Sequence, residues 1–89
     1  MTLQMLKFGN VLNSRPAGRE AVLRAKQILN GFTDNEVQLD FSGVEVLTPS
    51  FADEFIKGLQ TEYKEKKVTF LEFEKNIVIK ETLSLLGFI

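Results

Sequence analysis

Two hydroxyl side chains in the middle of the chain stand where a helical pattern begins and are the first candidates for chemistry. Thr48 and Ser50 flank Pro49, and apolar residues recur at helical spacing from Phe51 onward. Ser50 and Asp53 have the spacing of a capping box, which predicts that Ser50 caps this helix. Because a helix N-terminus also favours an anion, Ser50 is the first candidate for phosphorylation and Thr48 the second. The alternative for Thr48 is an ordinary turn residue, held extended by the proline after it.

Charged side chains offer two further kinds of site. Arg15 and Arg19 lie at the start of an earlier predicted helix, where cations oppose the helix dipole, so they are candidates for binding an anion. The alternative is a solvated first turn. Asp40, Asp53 and Glu54 are carboxylates near predicted loops, but no ligand spacing such as a calcium loop accompanies them. No metal site is therefore predicted.

The composition excludes several classes of function. The 89 residues include no histidine and no cysteine, which removes thiol chemistry, Cys/His zinc sites and a histidine acid or base. The net charge is −1 with both signs interspersed, and no phosphate-binding glycine motif occurs, so neither nucleic acid nor a cofactor is predicted. There is no apolar run of membrane-spanning length and no signal-peptide pattern. These features predict a non-catalytic cytoplasmic protein that does not bind membranes.

The elements that must position these residues alternate between strand and helix. The stretch 3–8 is typical of a strand, and the pair Gly9-Asn10 predicts a hairpin that returns along residues 11–12. Ser14 is a predicted cap for a helix that extends to about residue 30. The pattern then predicts a strand over 37–41, a helix from Ser50 to about residue 66, a strand over 68–73, and a helix that Asn76 caps and that ends near residue 86.

This order, β-hairpin, α, β, α, β, α, predicts a single α/β domain over residues 1–89. Helices between strands indicate right-handed crossovers, and the hairpin would make the β-sheet mixed. Val37, Leu39 and Phe41 alternate with polar residues, which indicates that the helices lie mainly on one face of the sheet.

The strand, turn and helix around Ser50 resemble the STAS superfamily, the domain of sulfate transporters and anti-sigma factor antagonists. Those proteins have a strand that ends in an LD-type motif, followed by a D-S-S-G turn whose second serine is phosphorylated. Asp40 matches the strand aspartate and Ser50 matches the phosphorylated serine. Thr48, Pro49 and Phe51 replace the other three residues of that turn.

The chain is also similar to the bacterial STAS-like family of undetermined function, over roughly residues 7–88. Members of that family pair a segment F-G-x-x-x-S-R with a motif containing L-D-F, G-V and S/A-F-A-D-E. The matching residues are Phe8-Gly9, Ser14-Arg15, Leu39-Asp40-Phe41, Gly43-Val44 and Ser50-Phe51-Ala52-Asp53-Glu54. In this chain four residues, not three, separate Gly9 from Ser14.

The resemblance implies a small STAS-like α/β domain that binds a protein partner and is switched by phosphorylation. The implied partner is a histidine-kinase-type ATPase or an anti-sigma factor. The expected partner-binding residues are those of the turn and the adjoining side of its helix: Thr48, Pro49, Ser50, Asp53, Glu54 and Lys57. The alternative function is sensing of a small ligand, a nucleotide or another anion, near Arg15, Arg19 and the same turn.

Overall fold

The computed structural model describes residues 1–89, and short parallel strands alternate with three helices along the chain. The elements in chain order are β1 (Thr2–Gln4), a 3-10 helix (Met5–Phe8), β2 (Val11–Leu12), α1 (Arg15–Ile28), β3 (Glu36–Asp40), β4 (Val46–Leu47), α2 (Pro49–Glu62), β5 (Lys67–Leu71) and α3 (Ile77–Leu85). The predicted α/β class is confirmed.

The larger sheet contains three strands in the order β1-β3-β5, and both pairs are parallel. Its central strand, β3, has the predicted alternation, because Val37 and Leu39 are fully buried whereas the residues between them are partly exposed. Leu39 pairs with Leu3 of β1 and with Phe70 of β5, so one row of apolar side chains crosses the sheet. The smaller sheet is the parallel pair β2-β4.

The predicted hairpin is wrong. The stretch 3–8 is not one strand, because β1 ends at Gln4 and the chain then forms a 3-10 turn. Gly9 has the positive φ that the sequence suggested, but it ends this 3-10 turn and does not join two paired strands. β1 pairs with β3 and β2 pairs with β4, so every strand pair is parallel and the sheet is not mixed.

The two faces of the larger sheet differ in polarity. The helices cover the apolar face, and α2 contributes more buried side chains than the other helices, including the fully buried Phe55 and Leu59. The opposite face has hydrogen bonds between side chains of neighbouring strands, from Thr2 to Gln38 and from Gln4 to Asp40. The prediction that helices lie mainly on one face agrees with this arrangement.

Helices α1 and α2 run side by side in the same direction and approach closely at two glycines. A Cβ on Gly18 of α1 would lie 2.9 Å from the carbonyl oxygen of Phe51, and a Cβ on Gly58 of α2 would lie 2.8 Å from a methyl group of Val22. The lack of a side chain at these glycines lets the helices approach, which places the charged residues of α1 against those of α2.

The caps of α1 and α3 were predicted correctly, whereas the ends of α1 and α2 were not. Ser14 caps α1 by accepting from the backbone N–H of Ala17, and Asn76 caps α3 by accepting from Val78 and Ile79, as predicted. Helices α1 and α2 end two to four residues earlier than predicted, at Ile28 and Glu62. No helix in the structure is both long enough and apolar enough to cross a membrane.

Candidate functional site

The turn that begins α2, residues 48–50 and here called the entry turn, is capped by Thr48 and not by Ser50. The Thr48 side chain accepts a hydrogen bond from the backbone N–H of Phe51 at 3.4 Å and donates one to the carbonyl oxygen of Leu12 at 3.4 Å. Pro49 occupies the first helical position, where its missing N–H leaves no hydrogen bond unmade. The predicted capping box is therefore wrong, and the preference of proline for this position is the sequence signal that identifies Thr48.

Ser50 lies within the first turn of α2 with its side chain exposed. Its hydroxyl makes no hydrogen bond within the protein, and Thr48 has the capping role that was predicted for Ser50. The side chain is free to react or to contact another molecule without the loss of a structural interaction.

Phe51 follows Ser50 but points away from this surface. The phenyl ring is 2% exposed and stacks on Phe55, with 5.7 Å between ring centroids. The bulky residue that replaces the glycine of better-known relatives therefore fills the core and leaves the outer surface of the entry turn unobstructed.

Five charged side chains of α1 and α2, here called the charged groove, form a connected set of ion pairs next to the entry turn. Arg15 donates to Asp53 at 2.9 Å and to Glu54 at 3.4 Å. Arg19 lies 3.8 Å from Glu54, and Lys57 lies 2.9 Å from Asp53 one helical turn away. The structure thus brings together the predicted anion-binding arginines and the predicted acidic docking residues.

These contacts perturb the protonation of two members of the charged groove. Hydrogen bonds from Lys57 and then Arg15 hold the pKa of the Asp53 carboxyl below its ordinary value. Hydrogen bonds to Asp53 and Glu54 raise the pKa of the Arg15 guanidinium. Asp53 and Arg15 therefore stay charged near neutral pH. By formal charge the groove has three cations and two anions.

The charged groove borders a shallow cavity of about 450 Å³ between the two helices. An anion bound there would compete with Asp53 and Glu54 for Arg15 and Arg19. The anion-binding role of these arginines stays a prediction, and the structure adds that such a ligand must displace existing ion pairs.

Asp40 belongs to a different part of the molecule and has a local partner. Its carboxylate accepts from the backbone N–H of Ser42 at 2.9 Å, from the Ser42 hydroxyl at 2.7 Å and from Gln4 at 3.2 Å. The N–H of Ser42, followed by its hydroxyl, lowers the pKa of Asp40. These bonds shape the turn after β3, and nowhere do three carboxylates converge to hold a metal ion.

Two residues that position the entry turn were not predicted to do so. The Asn76 amide donates to the carbonyl oxygens of Val44 and Glu45 at 3.2 and 3.0 Å, in addition to its capping role. The buried Thr82 hydroxyl donates to the carbonyl oxygen of Leu47 at 2.7 Å. These three bonds join Asn76 and α3 to β4 and its preceding loop, so they support the strand that leads into the entry turn. Asn76 was recognisable as a cap, but its distant partners were not.

Comparison with known proteins identifies one family. The family model described as a STAS-like domain of unknown function (DUF4325) matches residues 21–80. The matched range contains the L-D-F and S-F-A-D-E motifs but not the F-G and S-R segment, which lies before residue 21. No curated protein and no solved structure matches the chain significantly.

Proposed function

The chain belongs to the STAS-like family, and from this premise we propose that it is a non-catalytic regulatory module that binds a protein partner through the entry turn. The proposed docking surface consists of the entry turn and the adjoining side of α2, with Thr48, Pro49, Ser50, Asp53, Glu54 and Lys57. Phosphorylation of Ser50 controls binding, and the partner is a histidine-kinase-type ATPase or an anti-sigma factor.

The observation that carries this proposal is the free hydroxyl of Ser50. Because Thr48 caps α2, phosphorylation of Ser50 costs no structural hydrogen bond. The modified side chain would add about two negative charges at the N-terminus of α2, where the helix dipole favours them. The native fold is therefore compatible with both forms of Ser50.

The charges nearby explain how a phosphate would change the docking surface. Asp53 and Glu54 follow Ser50 by three and four residues, so they lie on the same side of the first turn. A phosphate adds to their negative charge and competes for Arg15, which they now share. A partner that fits the unmodified surface, with its paired charges, meets excess negative charge after modification and is released.

The lack of histidine and cysteine supports a binding role, since the most common acid–base and thiol catalysts are missing from the chain. The surface of the entry turn also offers charged and hydroxyl groups but no deep apolar cavity. Such a surface suits a protein partner better than a small substrate.

Incubation with ATP and a histidine-kinase-type ATPase from the same organism tests the proposal. Intact mass should increase by one phosphate, and fragmentation should place it on Ser50. Ser50→Ala should abolish the modification without a loss of stability, because Ser50 makes no hydrogen bond. Ser84→Ala, at an exposed serine of α3, is the matched control and should be modified like the wild type.

Binding of the same ATPase by calorimetry provides the second measurement. Ser50→Asp should weaken binding by about tenfold or more, whereas Ser50→Ala should bind like the wild type. A kinase that is active on another substrate but leaves this chain unmodified would refute the switch. Equal binding by all three forms would refute the docking surface as well.

A further inference from the structure

Strand β5 forms one edge of the larger sheet, because it pairs with β3 on one side only. The N–H of Lys67, the first residue of β5, donates to the carbonyl oxygen of Asn35 at 2.8 Å. The carbonyl oxygen of Leu71, the last residue of β5, accepts from the N–H of Phe41 at 3.0 Å. Both end residues of β5 therefore direct their backbone groups toward β3.

The backbone groups between these ends point alternately toward β3 and away from it. Residues two apart in a strand direct their backbone groups to the same side, so Thr69 also faces β3. The N–H and C=O groups of Val68 and Phe70 lie on the other side, where the sheet has no further strand, and no loop backbone bonds to them. Such an edge is a template for another strand, and neither a proline nor a charged residue within 68–71 protects it.

The side chains along this edge are apolar and incompletely buried. Val68 and Phe70 pack against the core on the face that the helices cover, but both keep part of their surface exposed. Phe88 lies beside Phe70, with 6.0 Å between ring centroids, and is also partly exposed. A strand added to β5 would cover these side chains as well as bond to the backbone.

The charges that flank β5 indicate which strand fits this edge. Lys66 and Lys67 lie at the start of β5, whereas Glu72 and Glu74 follow its end. None of the four forms an ion pair within the chain. A second β5 in antiparallel orientation places the basic end of each copy next to the acidic end of the other. A parallel copy would place like charges together.

We propose that two copies of this chain pair antiparallel through β5 and form one continuous sheet. The symmetric register is centred on Thr69, so Val68 of each copy lies opposite Phe70 of the other and exchanges both N–H···O bonds with it. Thr69 then faces the same residue of the second copy, a pairing that stabilises antiparallel strands. In this register Lys66 lies opposite Glu72.

The dimer goes beyond the proposed function, because β5 contributes no residue to the docking surface around the entry turn. A dimer has two entry turns, so a partner that is itself dimeric can bind both with greater avidity. A monomeric chain would still have an intact entry turn, and a chain that is not phosphorylated would still have a free β5 edge. The two proposals therefore succeed or fail separately.

Sedimentation equilibrium of the full chain at concentrations from about 1 µM to about 1 mM tests the proposal. The mass should rise from monomer to dimer with a Kd of about 100 µM or lower, as expected for a small interface. Amide hydrogen exchange locates the contact. The amides of Val68 and Phe70 should exchange rapidly at low concentration and slowly at high concentration, whereas those of Thr69 and Leu71 bond to β3 and should be protected at both.

Reversal of the flanking charges tests the orientation of the two copies. Lys66→Glu combined with Lys67→Glu should weaken self-association by about tenfold or more, because like charges then meet at both ends of the interface. Glu72→Lys combined with Glu74→Lys should have the same effect. An equimolar mixture of the two double variants should form the dimer again, because opposite charges then meet.

Lys7→Glu combined with Lys80→Glu is the matched control, since it changes the net charge equally at exposed lysines outside β5 and its flanks. This variant should associate like the wild type. Three results would each overturn the proposal: a wild-type monomer at about 1 mM, a dimer in which the amides of Val68 and Phe70 remain unprotected, or complementary charge variants that do not associate when mixed.

Discussion

Replacing each of the two hydroxyl residues of the entry turn by alanine should have opposite consequences for stability. Thr48→Ala removes the acceptor for the Phe51 N–H and the donor to the Leu12 carbonyl oxygen. Ser50→Ala removes a side chain that is exposed and makes no hydrogen bond. The comparison separates the structural hydroxyl from the one available for phosphorylation.

The magnitudes follow from the contacts. Loss of an N-cap costs about 1 kcal/mol, and the 3.4 Å length of both Thr48 bonds argues against a value at the top of the measured range. For a domain of this size, about 1 kcal/mol lowers Tm by about 4–8 °C. Alanine has a higher helix propensity than serine, so Ser50→Ala should change the free energy of unfolding by less than about 0.5 kcal/mol, in the stabilising direction.

Urea and thermal unfolding followed by circular dichroism measure both effects. Thr48→Ser keeps the capping oxygen and should recover most of the loss, which separates the hydrogen bonds from the packing of the methyl group. A loss in Ser50→Ala equal to that in Thr48→Ala would show that Ser50 shares the capping role. That result would remove the main support for Ser50 as a freely modifiable residue.

Three further predictions concern the elements that support the entry turn. Gly18→Ala places a methyl group 2.9 Å from a backbone carbonyl oxygen of α2. Although alanine adds about 1 kcal/mol of helix propensity, we expect the free energy of unfolding measured in urea to fall by about 1–2 kcal/mol. An increase in stability would show that the helices separate easily. Asn76→Ala removes a helix cap and two hydrogen bonds to the loop before β4, and it should lower the free energy of unfolding by about 2 kcal/mol. Amide hydrogen exchange should increase most in that loop. Unchanged exchange there would refute the role of Asn76 in holding the loop. Lys57 and Arg15 lower the pKa of Asp53 in the folded protein, so the unfolded state binds more protons and stability falls as the pH drops below about 4. Asp53→Asn should flatten this fall when urea midpoints are compared between about pH 3 and 5, and an unchanged slope would contradict the contribution of Asp53.

Elements with a complete local pattern were predictable. β3 alternates apolar and polar residues because one face of the sheet is covered, and α2 repeats apolar residues every three or four positions because one side packs on the core. Ser14 and Asn76 were recognisable as caps because the groups that they satisfy lie two or three residues away. In each case the physical cause lies within one or two turns of the chain.

The hairpin prediction was wrong because Gly9-Asn10 indicates a local turn and says nothing about which strands pair. β1 finds its partner in β3 and β2 finds its partner in β4, more than thirty residues away. The predicted cap of α2 was wrong for a different reason. Both Thr48 and Ser50 are suitable cap residues, and only the position of Pro49 distinguishes them. That signal was present in the sequence.

For the candidate site, the sequence by itself determined which residue types are present and on which helix they stand. It identified the 48–54 segment, Arg15 and Arg19 of α1, and the membership of a STAS-like family through local motifs. Only the tertiary structure decided which groups meet. The close approach of α1 and α2 pairs Arg15 with Asp53, and the cap at Thr48 leaves the Ser50 hydroxyl without a structural role. Such pairings depend on distances between side chains far apart in the chain, which local propensity and spacing do not specify.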